Sequence, residues 1–287
     1  MDSVIDAFAE RRLGLGPPEI STGLRALDRA IIGLRPGRVM VLAGRPSMGK
    51  SALADSIRRA VVGQGHAALQ FSLEMGADEI LERELAFRSQ MNLRKVMCAK
   101  EVTDEECGRV MAIKGTVTKG LWSVYDTCFS MVEIQRKARV AAKRLRSEGT
   151  RLGLVVIDYL QLIGDVGTEG RQQSVSACSR ITKLMSKELG CTVLVLSQLN
   201  RSCEYRDDKR PLMSDLRESG AIEQDADIVA FVYREHVYNQ AVSPEDCELI
   251  LRKQRSGPIG TIRLRFNPKF VSFEDAPPVV QQMENLQ

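Results

Sequence analysis

Residues Gly44 to Ser51 read Gly-Arg-Pro-Ser-Met-Gly-Lys-Ser and fit the pattern G-x-x-x-x-G-K-[ST]. Glycines in such a stretch allow a tight backbone whose N–H groups point inward, Lys50 reaches β- and γ-phosphates, and the Ser51 hydroxyl is offered to Mg²⁺. The pattern alone is moderately specific, and its context strengthens it. Arg38 to Ala43 (Arg-Val-Met-Val-Leu-Ala) reads as a buried strand and Ser51 to Val62 has helical spacing, the strand, loop and helix order that a phosphate cradle needs. A glycine-rich turn with a solvated lysine is the bland alternative, which that order disfavours. Gly44, Arg45, Pro46, Ser47, Met48, Gly49, Lys50 and Ser51 are therefore assigned to nucleotide binding, Ser51 also to the metal.

At 287 residues and 44% hydrophobic, the chain suffices for one large or two small domains, and its composition shows no break into halves. Neither an apolar run of about 18 residues nor a charged-then-apolar leader is present, so the expectation is a cytoplasmic protein with no membrane partner. The seven cysteines are scattered without a C-x-x-C pair, and the only histidines are His66 and His236; reduced structural thiols are expected, not zinc sites or disulfides. A net charge of +4 does not establish nucleic-acid binding in a monomer, although a ring of several copies would concentrate it in a channel.

In chain order, Val4, Ile5 and Phe8 have helical spacing and are followed by Gly14, Gly16, Pro17 and Pro18, so residues 1–19 read as an N-terminal arm, either frayed or docked on a neighbouring subunit. Residues 20–275 read as one large domain and 276–287 as a C-terminal tail. His66 to Ser72 is a second buried strand with Glu74 just beyond its C-terminal end, the edge where open α/β sheets bind ligands. An isolated glutamate there also serves simply as a helix N-terminal acid, but the position favours a base that orients an attacking water. Residues 77–115 are helical and charge-rich (Asp78, Glu79, Glu82, Arg83, Glu84), with most of that charge expected on a solvated face and Arg83 a weaker nucleotide-site candidate. Val132 to Arg146 is a basic helix expected to turn its charge to water.

Leu154 to Leu162 is an apolar strand reaching Asp158, which would hold Mg²⁺ directly or through water. Thr192 to Leu196 is a further strand ending near Gln198, whose uncharged amide suits sensing of a γ-phosphate, or simply caps the strand end. Arg210 to Asp227 is polar and reads as a functional loop. Ile228 to Tyr233 and Cys247 to Arg252 are strands, and Arg255 to Gly260 turns into Thr261 to Phe266, making a hairpin with Lys253 and Arg255 at its tip.

These motifs, taken in order, resemble the C-terminal motor domain of the DnaB family of replicative helicases, from about Ser21 to Glu274. Phe-Ser-Leu-Glu-Met at 71–75, Ile-Asp-Tyr-Leu-Gln-Leu at 157–162, Arg-Gln-Gln at 171–173, Leu-Ser-Gln-Leu-Asn-Arg at 196–201, Arg-Glu-Ser-Gly-Ala-Ile-Glu-Gln-Asp-Ala-Asp at 217–227 and Lys-Gln-Arg-Ser-Gly-Pro-Ile-Gly at 253–260 join the phosphate loop in carrying it.

The resemblance implies an α/β fold of the RecA-like P-loop ATPase type, a central mostly parallel twisted sheet flanked by helices with a C-terminal antiparallel hairpin. It further implies an ATP- and Mg²⁺-dependent homo-hexameric ring that translocates on single-stranded DNA and unwinds duplex 5′ to 3′. Glu74 would be the catalytic base, Asp158 the Mg²⁺-associated acid and Gln198 the γ-phosphate sensor, while Lys253 and Arg255 would act in a neighbour's site, Arg255 as an arginine finger. Arg217, Glu218 and Gly220 would lie on the DNA backbone. Only about 20 residues precede the matched region in this sequence, so the family's N-terminal collar is not expected within it, which leaves primase or loader partnership open, and Met1 to Leu13 would be the family's linker helix or its remnant. The rival readings are a RecA-like recombinase or regulatory ATPase, and a motor-only module that joins or inhibits a host helicase ring.

Overall fold

The computed structural model describes residues 19–114, 120–128, 130–158, 171–216 and 220–277, with a few positions before residue 14. Its frame is a nine-stranded sheet built from β1 (Val39–Gly44), β2 (Ala67–Ser72), β3 (Trp122–Tyr125), β4 (Leu152–Asp158), β5 (Thr192–Gln198), β6 (Ile228–Tyr233), β7 (Asp246–Gln254), β8 (Gly260–Asn267) and β9 (Ser272–Asp275). The spatial order is β3-β2-β4-β5-β1-β6-β7-β8-β9. Strands β3 to β6 in that order run parallel, and β6 to β9 continue antiparallel.

The inner parallel strands β1, β4, β5 and β6 are near-continuous apolar runs because both of their faces are covered. Successive side chains alternate between two cores. Val39, Val41 and Ala43 of β1 enter one, with the inner faces of α6 (Met131–Ser147), α7 (Arg171–Leu189) and α8 (Gly220–Asp225). Met40 and Leu42 enter the other, with α1 (Arg25–Ile31), α2 (Lys50–Gly63) and the rings of Phe266 and Phe273. The layout is the mostly parallel, helix-flanked α/β arrangement of RecA-like type that the resemblance implies, with the hairpin of β7 and β8 on its flank. Strand β9 extends that hairpin; its four residues, Ser-Phe-Glu-Asp, carry no strand pattern and are fixed by pairing with β8.

Between β2 and β3 lie α3 (Ala77–Ser89), α4 (Leu93–Cys98) and α5 (Asp104–Ile113). Thr103 and Glu106 form a reciprocal capping box at the start of α5, a device worth about 1 kcal/mol. Asp78 and Glu79 are exposed as expected, and one residue departs from that pattern. Glu84 is fully buried, not part of a solvated face, because Arg58 and Arg59 of α2 and Arg88 of its own helix donate to it at 2.5, 2.8 and 2.6 Å. Burial alone would raise its carboxyl, yet the charges of Arg58 and Arg59 with the hydrogen bonds from Arg88 and Arg59 hold it at about 2. The Arg58 guanidinium also lies 3.7 Å from the Trp122 ring centroid, so the cluster fastens the helical excursion to α2 and to edge strand β3.

The basic helix α6 behaves as its spacing predicts: Met131, Ile134, Ala138, Ala141 and Leu145 are buried, while Arg136, Arg139, Lys143, Arg144 and Arg146 are exposed. The stretch Arg210 to Asp227 is less loop-like than its composition suggests. Leu216, Ile222 and Ala226 join the core, and Asp215 and Asp227 are buried carboxylates answered by Arg206 and Lys183 at 2.6 Å each. Among the described residues no helix is long and apolar enough to cross a membrane, and all seven cysteines are unpaired, five of them buried.

Candidate active site

Strand β1 sits between β5 and β6 and delivers Gly44 to the C-terminal edge of the parallel strands. A side chain at Gly44 would place its Cβ 3.1 Å from the carbonyl oxygen of Val232. The loop then bends through two left-handed residues, Ser47 (φ 66°) and Gly49 (φ 94°). At Gly49 the constraint is double, since a Cβ would also lie 2.9 Å from Cζ of Phe273.

Helix α2 starts at Lys50 with no side-chain cap and no acidic residue in its first turn. Its leading N–H groups and positive dipole end therefore face the loop unsatisfied, the arrangement that binds a phosphate. Lys50 donates to the Arg45 carbonyl at 3.3 Å, and burial lowers its ammonium from the ordinary range against the opposing charges of Asp158 and Glu74. Ser51 Oγ donates to Asp158 Oδ2 at 2.7 Å. The other oxygen, Asp158 Oδ1, is buried and has no hydrogen-bond partner among the described residues, and burial pushes the carboxyl up to about 6 despite the Ser51 bond. A hydroxyl and an unsatisfied buried carboxylate side by side fit a divalent cation carried by phosphates.

Glu74 stands exposed in the turn after β2, where Ser72 Oγ donates to the Met75 carbonyl at 2.7 Å and Leu73 N to the Asp158 carbonyl at 2.6 Å. Its charge reaches both Asp158 and Lys50. Gln198 ends β5 in register with Gly44, half-buried. The edge thus gathers Gly44, Lys50, Ser51, Glu74, Asp158 and Gln198 from four parallel strands and the loops that follow them.

Other candidates lie differently. The Met48 side chain is buried in the core, and the Arg45 guanidinium turns away to the Leu199 carbonyl (2.7 Å) and Glu204 (2.8 Å), which leaves only their backbones facing the loop's concave side. Pro46 and Ser47 are exposed, and Arg83 is half-buried on α3. Lys253 and Arg255 sit at the opposite edge. Lys253 pairs with Val229, level with Val41, and Arg255 N donates to the Asp227 carbonyl at 3.0 Å, level with Val39. At ~3.3 Å per residue they lie about 10 and about 17 Å from Gly44 along the strands. Lys253 Nζ bonds the Glu223 carbonyl and Arg255 Nη2 the Gln224 carbonyl, the latter at 2.6 Å. Gly220 opens α8, whereas Arg217 and Glu218 lie outside the described residues.

Sequence reasoning missed Arg234. Its guanidinium lies 4.0 Å from the Phe266 ring centroid and reaches the Ser47 carbonyl at 3.4 Å, so it supports the phosphate loop from beneath. Only the strand pairing of β6 and β8 with β7 brings these residues together; no local signal marks them.

Fold and site together define a P-loop nucleotide-binding domain of RecA-like architecture. A model of the DnaB-like helicase C-terminal domain matches residues 19–275. The replicative DNA helicase DnaB of Geobacillus stearothermophilus is 41% identical over 259 residues, covering 88% of this chain and 56% of that protein. The DnaB of Pasteurella multocida strain Pm70 is 38% identical over 261 residues, with 89% and 55% covered. A solved ATPase domain superposes with a TM-score of 0.89 at 33% identity, covering 96% of this chain and 98% of that one. A solved DnaB-like replicative helicase, described with its interactions with primase, gives a TM-score of 0.87 at 33% identity over 96% and 66%. The chain belongs to the DnaB-like helicase C-terminal domain family, and it spans about half the length of the curated relatives it matches.

Proposed function

We propose that this chain is the motor of an ATP-dependent replicative DNA helicase, a homo-hexameric ring that acts in the cytoplasm and moves 5′ to 3′ on single-stranded DNA. The observation that carries the ATPase part is the Ser51–Asp158 pair at an uncapped helix start, with one carboxylate oxygen buried and unsatisfied. When bound, Mg²⁺ would neutralise charge on the β- and γ-phosphates. Ser51 and Asp158 would hold it, Lys50 and the N–H groups of residues 44–51 would bind the phosphates, and Arg83 would lie at the rim. Glu74 would orient the attacking water and Gln198 would report on the γ-phosphate.

The strand register supports assigning Lys253 and Arg255 to a neighbour's site, since neither is within reach of its own phosphate loop. Residues 1–19 would then be an arm reaching an adjacent subunit, consistent with the exposure of Ile5, Phe8 and Leu13; 20–275 would be the motor and 276–287 a tail. Arg217, Glu218 and Gly220 would follow DNA phosphates without reading bases, which makes binding sequence-tolerant and salt-sensitive. Primase and a loader are the partners this reading anticipates. The test is a forked DNA substrate: ATP-dependent strand separation is expected, and its absence in folded, hexameric protein rejects the helicase reading.

A further inference from the structure

Gln198 is followed by a short 3₁₀ helix, Arg201–Tyr205, that touches two different parts of the molecule through adjoining side chains. On one side, Glu204 accepts from Arg45 Nε at 2.8 Å, and Arg45 Nη1 donates to the Leu199 carbonyl at 2.7 Å. Arg45 is 7% exposed and is the residue after Gly44 in the phosphate loop, so that loop is tied by a buried, two-pronged guanidinium to the segment leaving β5.

On the other side, Arg206 grips Asp215 with a parallel pair of hydrogen bonds of 2.7 and 2.6 Å, and Asp215 is 2% exposed. The same carboxylate accepts from Leu212 N at 2.8 Å and Ser202 Oγ at 3.3 Å, and the Asp215 carbonyl accepts from Asn200 N at 2.9 Å. Leu216, bridged to Leu199, is the last residue before Arg217. Between Glu204 and Arg206 stands Tyr205, 86% exposed, so ion pairs and the buried Cys203 hold this helix, not a packed tyrosine.

We propose that Glu204 and Arg206 are positioning residues which transmit the nucleotide state of the phosphate loop to the segment ending at Leu216. Phosphate binding acts on the loop that carries Arg45. A shift there moves Glu204 and its short helix as a unit, and Arg206 passes the movement to Asp215. Hydrogen-bond and salt-bridge networks can carry coupling of this kind, and charge-assisted pairs supply strong, directional contacts at both ends of the helix. The inference rests on the proposal that residues 217–220 contact DNA.

The experiment measures binding of a labelled single-stranded oligonucleotide with and without Mg²⁺ and a non-hydrolysable ATP analogue, in the unaltered chain and in Glu204→Gln, Glu204→Asp and Arg206→Lys. The unaltered protein is expected to change its oligonucleotide affinity by about fivefold or more on binding the analogue. Glu204→Gln, which keeps shape but loses charge, is expected to cut that ratio below about twofold with the analogue still bound, and Glu204→Asp to restore part of it. Arg206→Lys keeps the charge but loses the fork, and is expected to show the same loss with the Arg45 pair intact, so it decides the matter should Glu204→Gln fail to fold. A folded variant that retains the full ratio overturns the inference alone. Failure of the unaltered protein to bind the oligonucleotide overturns the helicase reading and the inference with it.

Discussion

Ser51 Oγ donates to one oxygen of Asp158 at 2.7 Å while the other oxygen is buried and accepts from no donor among the described residues. The carboxylate is thus held half-satisfied, at a cost the fold bears without nucleotide. With its pKa raised from 3.8 to about 6, its stabilising contribution is complete below pH 3.8 and is lost as pH rises through about 6. At pH 7.5 the charged form therefore destabilises the free protein, by an amount on the order of 3 kcal/mol. Asp158→Asn is expected to leave the nucleotide-free melting temperature unchanged or raised, and to lower ATP turnover by about a hundredfold or more. Melting curves with a steady-state ATPase assay check both, and a marked loss of stability would falsify the assignment of Asp158 as a strained functional carboxylate.

Arg255 lies about 17 Å from Gly44 along the strands, so the action on a phosphate proposed for it would fall on another subunit's. Arg255→Ala is expected to retain ATP binding while hydrolysis drops about a thousandfold, within the range of arginine fingers. Mixing it with Lys50→Ala protein is expected to recover some activity through mixed interfaces. Hydrolysis independent of protein concentration and indifferent to Arg255→Ala would sink the idea.

The parallel strands and the residues at their ligand edge were legible for a physical reason. A strand buried on both faces reads as a nearly unbroken apolar run, and the polar residues at or just beyond its end, here Asp158, Glu74 and Gln198, fall at the C-terminal edge of the sheet. What stayed hidden depends on partners distant in the chain. Glu84 looks like any charge on a polar helix until Arg58 and Arg59 of α2 are packed against it. Strand β9 is too short and polar to announce itself, yet its Asp275 accepts from Arg25 N and Ala26 N, at 3.0 and 3.1 Å, at the start of α1. Arg45 with Glu204, and Arg234 with Phe266, are likewise set by topology and not by spacing.

Glu84 carries an acid-sensitive share of stability. Its carboxyl falls from 4.5 to about 2 in the fold, so the contribution is full above pH 4.5 and is lost as pH drops toward 2. Glu84→Gln strands Arg58 and Arg59 in the interior and is expected to cost ~3–5 kcal/mol at neutral pH, with a shallower loss of stability between pH 5 and 3. Denaturant melts across that pH range test it; an unchanged midpoint at pH 7 would show the cluster to be inert.

Gly49 is constrained by conformation and by contact, and the two are separable. Gly49→Ala must hold φ near 94° and drive its Cβ against the Phe273 ring, 2.9 Å away in the present backbone. The left-handed backbone costs about 1–3 kcal/mol, and the clash adds to it unless the ring moves. The expected result is weaker ATP-analogue binding together with a lower melting temperature. Adding Phe273→Leu removes the ring but not the backbone strain, so the double variant is expected to regain part of the stability while binding stays impaired. Full recovery of binding in the double variant would mean that the ring contact alone, and not the left-handed turn of the phosphate loop, requires glycine at this position.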